Sequence, residues 1–580
     1  MLRLAIALGG AVLALAFPVT ARAQTTELLP AVTYTDDVQF TPHGPVAIHV
    51  VHAPRPVGLY RLRPALSNES VTRRETLSAM EKRLSSQGTA VGINGDYFSF
   101  KDGHPSGMLM RDDTLVTPPL SGRSSMGINA DGTIDVRREK FLGTWHGLGA
   151  WRSLSALNAP PKPDGVALFT TDYGPATPQI PGSLAAVLSP IDAATPGVDL
   201  LAPVADEREN ASIELEPGTA VLVARGAAAA KLATEAPLGS NVTIRLTLQP
   251  DWPGVVDAIG GGPMLVQNGR PVFQAGEAFA TSQLAPRAPR SAIGQLADGR
   301  LVLVAVDGRE HGYSVGLTNF ELAQTMMRFG AVRAMALDTG GSTTLAFDGT
   351  VLNRPSDGRE RAIATALLLV YTGVYALPPK EAVVSPNGDG VADVQRLSYR
   401  VVRPSNVTVT LFAPDRAIAL KQTTPEQPGG HAVAFPPPPV GSAGTSGVAE
   451  GTWSLTVSAT DDQGATSSAT RRFSVNSTIG FLRVSPPTIP LPPGGREIRI
   501  TWRQARAARL RVRVETLQGV LLRRLANASY EPGLNAVVWK GIRKDGRRAF
   551  GGTYRVVVTA TNSLGSVSLE RLLRIQRVGG

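Results

Sequence analysis

The stretch that decides the fold is Leu337-Asp338-Thr339-Gly340-Gly341-Ser342-Thr343. A carboxylate ends an apolar run here, and two glycines and two hydroxyl residues follow it at once. Because glycine has no Cβ, such a turn lets the main chain approach a ligand closely and present its N–H groups. The stretch therefore predicts a site for an anionic substrate at a strand end. A tight structural turn is the alternative.

Three similar loops lie earlier in the chain and favour the site. They are Asn94-Gly95-Asp96-Tyr97-Phe98, Gly260-Gly261-Gly262-Pro263 and Asp307-Gly308-Arg309. Each follows a short apolar run, at residues 90–93, 255–259 and 301–306, that is typical of a buried strand.

A helix is predicted between the last two of these strands. Thr318 and Glu321 form a capping box, apolar residues recur at helical spacing, and Gly330 ends the segment. Strand, helix and strand in this order predict a right-handed parallel crossover. Asp307 and Asp338 would then lie past the carboxyl ends of neighbouring parallel strands, the edge where open α/β sheets bind ligands.

Composition limits the classes of protein that fit. The chain has 580 residues and no cysteine, which excludes disulfides, thiolate metal sites and a catalytic thiol. Residues 1–23 have the pattern of a signal peptide, with Arg3, an apolar core at 4–17 and Ala21-Arg22-Ala23 before the cleavage site. We therefore expect a secreted or cell-surface protein of bacterial type, with no transmembrane span after cleavage.

The helix pattern ends near Tyr375, and an internal repeat follows. Gly451-Thr452-Trp453-Ser454-Leu455 recurs 101 residues later as Gly552-Thr553-Tyr554-Arg555-Val556. Alternating strands in units of about 100 residues are typical of β-sandwich modules. The predicted fold is multidomain: a mixed α/β (α+β) domain at 27–375, followed by two all-β Ig-like sandwich modules at 380–478 and 480–580.

The start of the first module is a candidate cation site. Residues 385–393, with the sequence SPNGDGVAD, resemble the start of Ig-like modules related to the flagellar-hook capping protein. Asn387, Asp389 and Asp393 could ligate Ca²⁺ through oxygen. A turn held by Asx hydrogen bonds is the alternative.

The second module is strongly basic. Residues 480–580 hold 19 Lys and Arg against 5 Asp and Glu, so the rest of this +11 chain carries a net charge of −3. Such a surplus favours a polyanionic partner, for which an anionic cell-wall polymer suits an exported protein better than nucleic acid. A solvated basic face is the alternative.

Taken together, the motifs resemble the phosphodiester glycosidase family, which includes the lysosomal uncovering enzyme, an N-acetylglucosamine-1-phosphodiester alpha-N-acetylglucosaminidase. The resemblance covers about residues 90–371. The matching pieces occur in family order: the three loops, the quoted stretch, residues 168–174, Pro289-Arg290-Ser291, Asn353-Arg354-Pro355-Ser356 and Arg361. One position departs from the usual L-D-G-G-G-S pattern, because Thr339 replaces its first glycine. Threonine does not adopt positive φ cheaply, so either this position is extended or the loop is reshaped.

The resemblance implies a hydrolase that cleaves the C1–O–P bond of a sugar-1-phosphodiester and releases free sugar and a phosphomonoester. Carboxylates serve the anomeric centre, with Asp338 and Asp307 as the first candidates and Asp96 as the third. Arginines and turn N–H groups serve the phosphate. The candidates for substrate and phosphate binding are Asn94, Arg290, Arg309, Gly340, Gly341, Ser342 and Arg361.

A non-catalytic envelope or exopolysaccharide-associated protein that holds glycan in the same cleft is the alternative. The aspartates favour the enzyme, since a pure binder gains little from carboxylates beside an anionic phosphate. These residues identify no cofactor with certainty, and Ca²⁺ in the Ig-like region is the one candidate. The sugar, the aglycone and the oligomeric state do not follow from the sequence.

Overall fold

The computed structural model describes residues 24–272, 276–437, 448–490 and 497–576. The predicted signal peptide at 1–23 lies outside these ranges. The chain divides into two compact units, Met1–Arg83 with Ala90–Val370 and Leu84–Thr89 with Tyr371–Gly580. Among the described residues, no helix combines the length and the apolar character needed to cross a bilayer.

The multidomain architecture is confirmed, but the mixed α/β first domain is not. The protein is mostly β, with 53% strand and 7% helix. The four α-helices of the described residues are α1 (Leu77–Arg83), α2 (Ala227–Glu235), α3 (Thr281–Leu284) and α4 (Asn319–Arg328).

The strands of the first unit are β1 (Gln24–Leu29), β2 (Val32–Thr41), β3 (Gly44–Ala53), β4 (Tyr60–Leu66), β5 (Thr89–Asn94), β6 (Leu109–Arg111), β7 (Thr114–Thr117), β8 (Ser124–Asn129), β9 (Ile134–Arg138), β10 (Lys140–His146), β11 (Arg152–Ser153), β12 (Ala156–Leu157) and β13 (Val166–Phe169). They continue with β14 (Ser183–Leu188), β15 (Asp199–Glu209), β16 (Ala220–Arg225), β17 (Asn241–Gln249), β18 (Val255–Gly260), β19 (Met264–Gln267), β20 (Arg270–Pro271), β21 (Arg290–Leu296), β22 (Leu301–Val306), β23 (Ala331–Ala336), β24 (Leu345–Phe347), β25 (Thr350–Val351) and β26 (Thr365–Tyr371).

The strands of the second unit are β27 (Tyr375–Ala376), β28 (Val383–Val384), β29 (Gln395–Val401), β30 (Ser405–Phe412), β31 (Ile418–Glu426), β32 (Gly429–Phe435), β33 (Gly451–Asp461), β34 (Thr466–Val475), β35 (Ile479–Ser485), β36 (Thr488–Pro490), β37 (Ile498–Gln504), β38 (Ala508–Thr516), β39 (Leu521–Tyr530), β40 (Gly533–Trp539), β41 (Gly552–Asn562) and β42 (Gly565–Gln576).

An eight-stranded sheet carries two of the predicted site loops. Its order is β1-β2-β3-β22-β21-β23-β19-β20. The prediction that β22 and β23 are parallel neighbours is wrong, because β21 lies between them and pairs antiparallel with both. Since β22 and β23 still run in the same direction, Asp307 and Asp338 leave the sheet at the same edge.

The predicted helix is confirmed as α4. Thr318 caps it by accepting a hydrogen bond from the N–H of Glu321, whose side chain reaches back to the N–H of Thr318. Leu322, Ala323 and Met326 of α4 pack against the apolar residues of the eight-stranded sheet. This burial covers one face of the sheet that ends in the site loops.

A second sheet brings in the third loop. It has the order β25-β24-β5-β26-β4, and all six residues of β5 are buried. The chain leaves β5 through Gly95 and Asp96. The N–H of Gly95 donates to the carbonyl of Thr365 at the start of β26, so the position of Asp96 is fixed by the sheet.

The sequence repeat corresponds to two β-sandwiches of equal topology in the second unit. Each pairs a three-stranded sheet with a five-stranded one: β27-β29-β32 with β28-β34-β33-β30-β31, and β35-β37-β40 with β36-β42-β41-β38-β39. The repeated segments are β33 and β41, which occupy the same place in the two five-stranded sheets. Each sandwich has its own apolar core between its two sheets.

The candidate Ca²⁺ loop is held together by hydrogen bonds within the protein. Both oxygens of Asp393 accept main-chain N–H groups, from Asn387 and Gly388 on one side and Gly390 on the other. Asp389 accepts from the N–H groups of Val391 and Phe481. The described residues contain no group of three or more acidic or histidine side chains suited to a metal. These hydrogen bonds are those of an Asx-bonded turn, the alternative, and calcium binding by Asn387, Asp389 and Asp393 stays a prediction.

Candidate active site

Asp96 and Asp338, named here the aspartate pair, are brought together by main-chain hydrogen bonds. The N–H of Asp338 donates to the carbonyl of Gly95 at 2.9 Å. The carbonyl of Asp338 accepts from Nδ2 of Asn94, also at 2.9 Å. Both peptide groups of Asp338 are thus tied to the segment that carries Asp96, and the two carboxylates repel each other electrostatically.

Asp96 is the more perturbed member of the pair. It is 2% exposed, and burial raises its pKa to about 7, against the lowering effect of the Tyr97 N–H and the charge of Arg123. Its Oδ1 accepts from the N–H of Tyr97 at 2.7 Å, while Oδ2 is buried without a hydrogen-bond partner among the described residues. A buried carboxyl with a free oxygen and a pKa near neutrality is suited to donate a proton.

Two glycines make room for this carboxyl. A Cβ added to Gly107 would lie 2.7 Å from Oδ2 of Asp96, and one added to Gly260 would collide with the same atom. Gly260 belongs to the predicted Gly260–Gly262 loop, so one role of that loop is close packing against Asp96.

Asp338 lies beside positive charge. Burial raises its pKa to about 6, while hydrogen bonds from Ser342 and the N–H of Thr339 and the charges of Arg361 and Arg123 counter the rise. These donors and charges favour the ionised form of Asp338. An ionised carboxylate next to a protonated one is the division of roles that glycoside hydrolysis requires.

The backbone conformation of Thr339 explains why threonine can replace the usual glycine at this position. Thr339 is extended, with φ −121° and ψ 175°, so threonine fits without strain. The left-handed conformation falls on the next residue, Gly340, at φ 70°. Of the two outcomes expected from the sequence, the structure shows the extended one.

The 3-10 turn Gly340–Ser342 is flanked by two arginines. A Cβ on Gly340 would lie 2.8 Å from Nη2 of Arg309, and a Cβ on Gly341 would collide with Arg361 and Asp357. The absence of side chains at these two glycines is what lets both guanidinium groups rest on the turn.

The two arginines differ in the ion pairs and hydrogen bonds that they make within the protein. Arg361 forms an ion pair with Asp357 at 2.6 Å and lies 3.4 Å from Oγ of Ser342. Arg309 is exposed and makes no ion pair or hydrogen bond among the described residues, and its φ of 62° is a strained conformation for a non-glycine residue. Arg309 is thus the more available of the two for an anionic ligand.

Sequence reasoning missed two residues of this site, Arg123 and Tyr97. The charge of Arg123 acts on both members of the aspartate pair. Its guanidinium stacks over Tyr97 at 5.0 Å and over Phe279 at 4.3 Å. Burial raises the pKa of Tyr97, and the charges of Asp338 and Asp96 add to the rise. Tyr97 belongs to a quoted motif and could have been found, whereas no local pattern marks Arg123.

Asn94 and Arg290 are fully engaged with the protein. Asn94 is 0% exposed, and its Oδ1 accepts from Ser291 and from the N–H of Thr344. The guanidinium of Arg290 is 1% exposed and donates to the carbonyls of Leu317, Gln283 and Pro286. Both side chains hold the walls of the site in place.

Asp307 is the centre of a saturated network, named here the Asp307 network. Its carboxylate accepts from His49 Nε2 and Tyr313 OH, both at 2.9 Å, and from Asn353 Nδ2 and the N–H of Arg354, both at 3.0 Å. Burial alone would raise the pKa of Asp307, but the hydrogen bonds and the charge of His49 lower it below its ordinary value. This carboxylate favours its ionised form, and both of its oxygens accept hydrogen bonds from the protein.

The comparison with known proteins covers those residues of the site that follow residue 204. Residues 204–370 match the family model for phosphodiester glycosidases. The match contains Arg290, Asp307, Arg309, Asp338, the Gly340–Ser342 turn and Arg361. Asp96 and Arg123 lie before it.

Two relatives and one solved structure are similar to parts of the chain. The SPbeta prophage-derived uncharacterized protein YomE of Bacillus subtilis is 35% identical over 118 residues, 20% of this chain and 18% of that protein. The N-acetylglucosamine-1-phosphodiester alpha-N-acetylglucosaminidase of Bos taurus is 38% identical over 68 residues, 12% of each chain. The chain thus spans less than a fifth of the length of either relative. A hypothetical protein from Synechocystis has a similar fold, with a TM-score of 0.52 and 22% identity over 60% of this chain and 64% of that one.

Proposed function

We propose that this protein is an exported glycosidase that hydrolyses a sugar-1-phosphodiester in a phosphate-bearing glycan or envelope polymer. The observation that carries the proposal is the aspartate pair: two buried carboxyl groups with pKa values raised to about 7 and about 6, on which the charge of Arg123 acts. The match of residues 204–370 to phosphodiester glycosidases supports the same class of reaction.

The two carboxyl groups have different roles in the reaction. The bond between the anomeric carbon and the bridging oxygen breaks, and that oxygen leaves with the phosphate. Asp338, ionised and close to the cations, stabilises the positive charge that develops at C1. Asp96, whose pKa burial raises to about 7, reacts in its protonated form and donates that proton to the departing oxygen, while water supplies the new hydroxyl at C1 and its proton restores Asp96.

The phosphate is held by the arginines that remain available. Arg309 and Arg361 flank the Gly340–Ser342 turn, and the charge of Arg123 acts on the aspartate pair. Cations are needed here because two carboxylates alone would repel an anionic substrate. Arg290 and Asn94 take no direct part in this proposal, since their polar atoms already bond to the protein. Asp307 becomes a positioning residue that fixes the loop before Arg309.

The basic second sandwich provides a further contact with anionic material. Arg509 and Arg511 alternate on β38 and are both exposed on one face of its sheet. We propose that this face attaches the protein to an anionic cell-wall polymer. Binding that persists in Arg509→Gln/Arg511→Gln protein, or that ignores salt, would contradict this attachment. Export rests on the sequence of residues 1–23 alone.

The test of the reaction is the position of bond cleavage. The protein is incubated with an aryl diester of N-acetylglucosamine 1-phosphate in ¹⁸O-water, and both products are weighed by mass spectrometry. Cleavage of the C1–O bond places the label in the free sugar and none in the aryl phosphate. Label in the phosphate would indicate a phosphodiesterase instead. Binding of the diester without turnover would favour the alternative, a non-catalytic glycan-binding protein.

A further inference from the structure

A wide cleft adjoins the Gly340–Ser342 turn on the side of Arg361. Its volume is about 940 Å³, and its walls include Arg73, Arg74, Phe100, Lys101, Arg359 and Arg361. A single sugar phosphate would fill only part of this space, because ligand pockets of ~300–1,000 Å³ hold whole drug-sized molecules. The cleft therefore has room for a longer ligand than the group that is cleaved.

The cations of this cleft are largely unpaired, whereas its acids are not. Asp357 pairs with Arg361, Glu360 accepts from the N–H and Oγ of Ser78, and Asp102 accepts from the N–H of His104. In contrast, four exposed cationic side chains of the cleft make no ion pair or hydrogen bond among the described residues. They belong to Arg73, Arg74, Lys101 and Arg359. Since the lining holds five cationic side chains and three acidic ones, the cleft has a net positive charge, which suits a second anionic group.

An aromatic ring lies open in the same cleft. Phe100 is 64% exposed, its ring centre is 5.1 Å from that of Phe98, and the guanidinium of Arg361 lies 5.4 Å above it. One face of a pyranose ring carries mainly C–H groups, so a sugar that covers Phe100 would remove apolar surface from water. An exposed aromatic ring beside free arginines combines contacts for a sugar and for a phosphate.

The cleft is continuous with the site through Arg361. This guanidinium rests on Gly341 and approaches Ser342, and it also lines the cleft. A chain bound with its scissile phosphate at the turn would therefore continue past Arg361 toward Phe100.

We infer that this cleft is a binding subsite for the aglycone of a glycan with more than one phosphate, in which Phe100 packs against the next sugar ring and Arg73 and Arg74 bind the next phosphate. The inference deepens the proposed function and rests on it. It makes the natural substrate a chain of phosphate-linked sugars rather than a compound with a single phosphodiester.

The test uses two synthetic substrates that differ in one group. Both join N-acetylglucosamine through its C1 phosphodiester to a second sugar, and one carries a methyl phosphodiester on that sugar where the other carries a hydroxyl. Full-length protein is compared with Arg73→Gln/Arg74→Gln. The matched control is Arg225→Gln, since Arg225 is equally exposed at the end of β16 and lies outside the cleft.

We expect the native protein to have about tenfold higher kcat/KM for the two-phosphate substrate, from two screened charge contacts. Arg73→Gln/Arg74→Gln removes most of this preference through KM and leaves the one-phosphate substrate nearly unchanged. Arg225→Gln keeps the preference. Phe100→Ala weakens both substrates alike, because it acts on the shared sugar ring. The basic tail is the same in every variant, so it does not contribute to these differences.

Equal kcat/KM for the two substrates, or a preference that Arg73→Gln/Arg74→Gln leaves intact, overturns the subsite. If neither substrate is cleaved, the proposed reaction fails on this sugar, and calorimetric binding of the same two compounds decides the subsite separately. A Kd that is about tenfold lower for the two-phosphate compound and depends on Arg73 and Arg74 supports it, and equal Kd values overturn it.

Discussion

Asp307 and Asp338 follow strands that end at the same edge of one sheet, yet their surroundings are opposite. Asp307 accepts hydrogen bonds from four groups and has a lowered pKa. Asp338 and Asp96 are both buried and have raised pKa values, and Oδ2 of Asp96 accepts no hydrogen bond from any residue that the structure describes. Arg290 and Arg309 differ in the same way: Arg290 donates to carbonyls, whereas Arg309 makes no hydrogen bond or ion pair within the described part of the chain. The comparison teaches that side chains with all their hydrogen bonds satisfied hold this site together. Side chains with unsatisfied polar atoms are the ones available to react.

Asp338→Asn gives the largest expected effect. The amide cannot stabilise positive charge at C1, so kcat should fall on the order of a thousandfold or more. The fold should persist, since the side chain is isosteric. Turnover of the aryl diester and the circular dichroism spectrum measure the two effects. Asp192→Asn, at an exposed position, is the control. Native-like turnover in folded Asp338→Asn protein would contradict the role of the pair.

Asp307→Asn should act on stability instead. An amide there turns its N–H₂ toward groups that are themselves donors, which costs roughly 2–4 kcal/mol of unfolding free energy. Denaturant unfolding measures this loss, again against Asp192→Asn. Activity per folded molecule should fall far less than in Asp338→Asn protein. A stable Asp307→Asn protein without activity would reverse the comparison and make Asp307 catalytic.

The two arginines allow a matched test of the same idea. Arg309→Lys should raise KM about tenfold with an unchanged melting temperature, because lysine lacks the bidentate fork for phosphate. Arg290→Lys should lower the melting temperature by a few degrees, since lysine cannot reach three carbonyls at once, and should affect KM less. The sequence alone placed Arg290, like Arg309, among the candidates for phosphate binding. A large KM effect confined to Arg290→Lys would restore that assignment.

The pH dependence of stability tests whether Asp96 is perturbed in the folded protein. A carboxyl whose pKa is raised on folding stabilises the protein below its unfolded value, near 4, and loses that contribution as pH rises through about 7 for Asp96. The unfolding free energy of the native protein should therefore decline between pH 4 and 7 relative to that of Asp96→Asn. Parallel curves for the two proteins would mean that Asp96 is not perturbed.

The sequence predicted the strands and the helix of the site well. It did not predict which polar side chains have all their hydrogen bonds satisfied. The strands before Asp96, Asp307 and Asp338 and the capping box of α4 follow from periodicity and local chemistry, so they were predictable. The insertion of β21 between β22 and β23 was not, because strand pairing depends on contacts between distant segments. The partners of Asp307 come from β3 and from residues 313, 353 and 354, and a lone D-G-R motif gives no sign of them. Arg123 was missed for the same reason.

The pH dependence of kcat/KM in native, Asp96→Asn and Asp307→Asn protein tests the central claim most directly. The native profile should be bell-shaped, with an acid limb near pH 6 and an alkaline limb near pH 7 that belong to the coupled pair. Asp96→Asn should lose the alkaline limb, and Asp307→Asn should keep both. If Asp96→Asn keeps both limbs, or if folded Asp307→Asn protein loses one, the aspartate pair is not the reacting group.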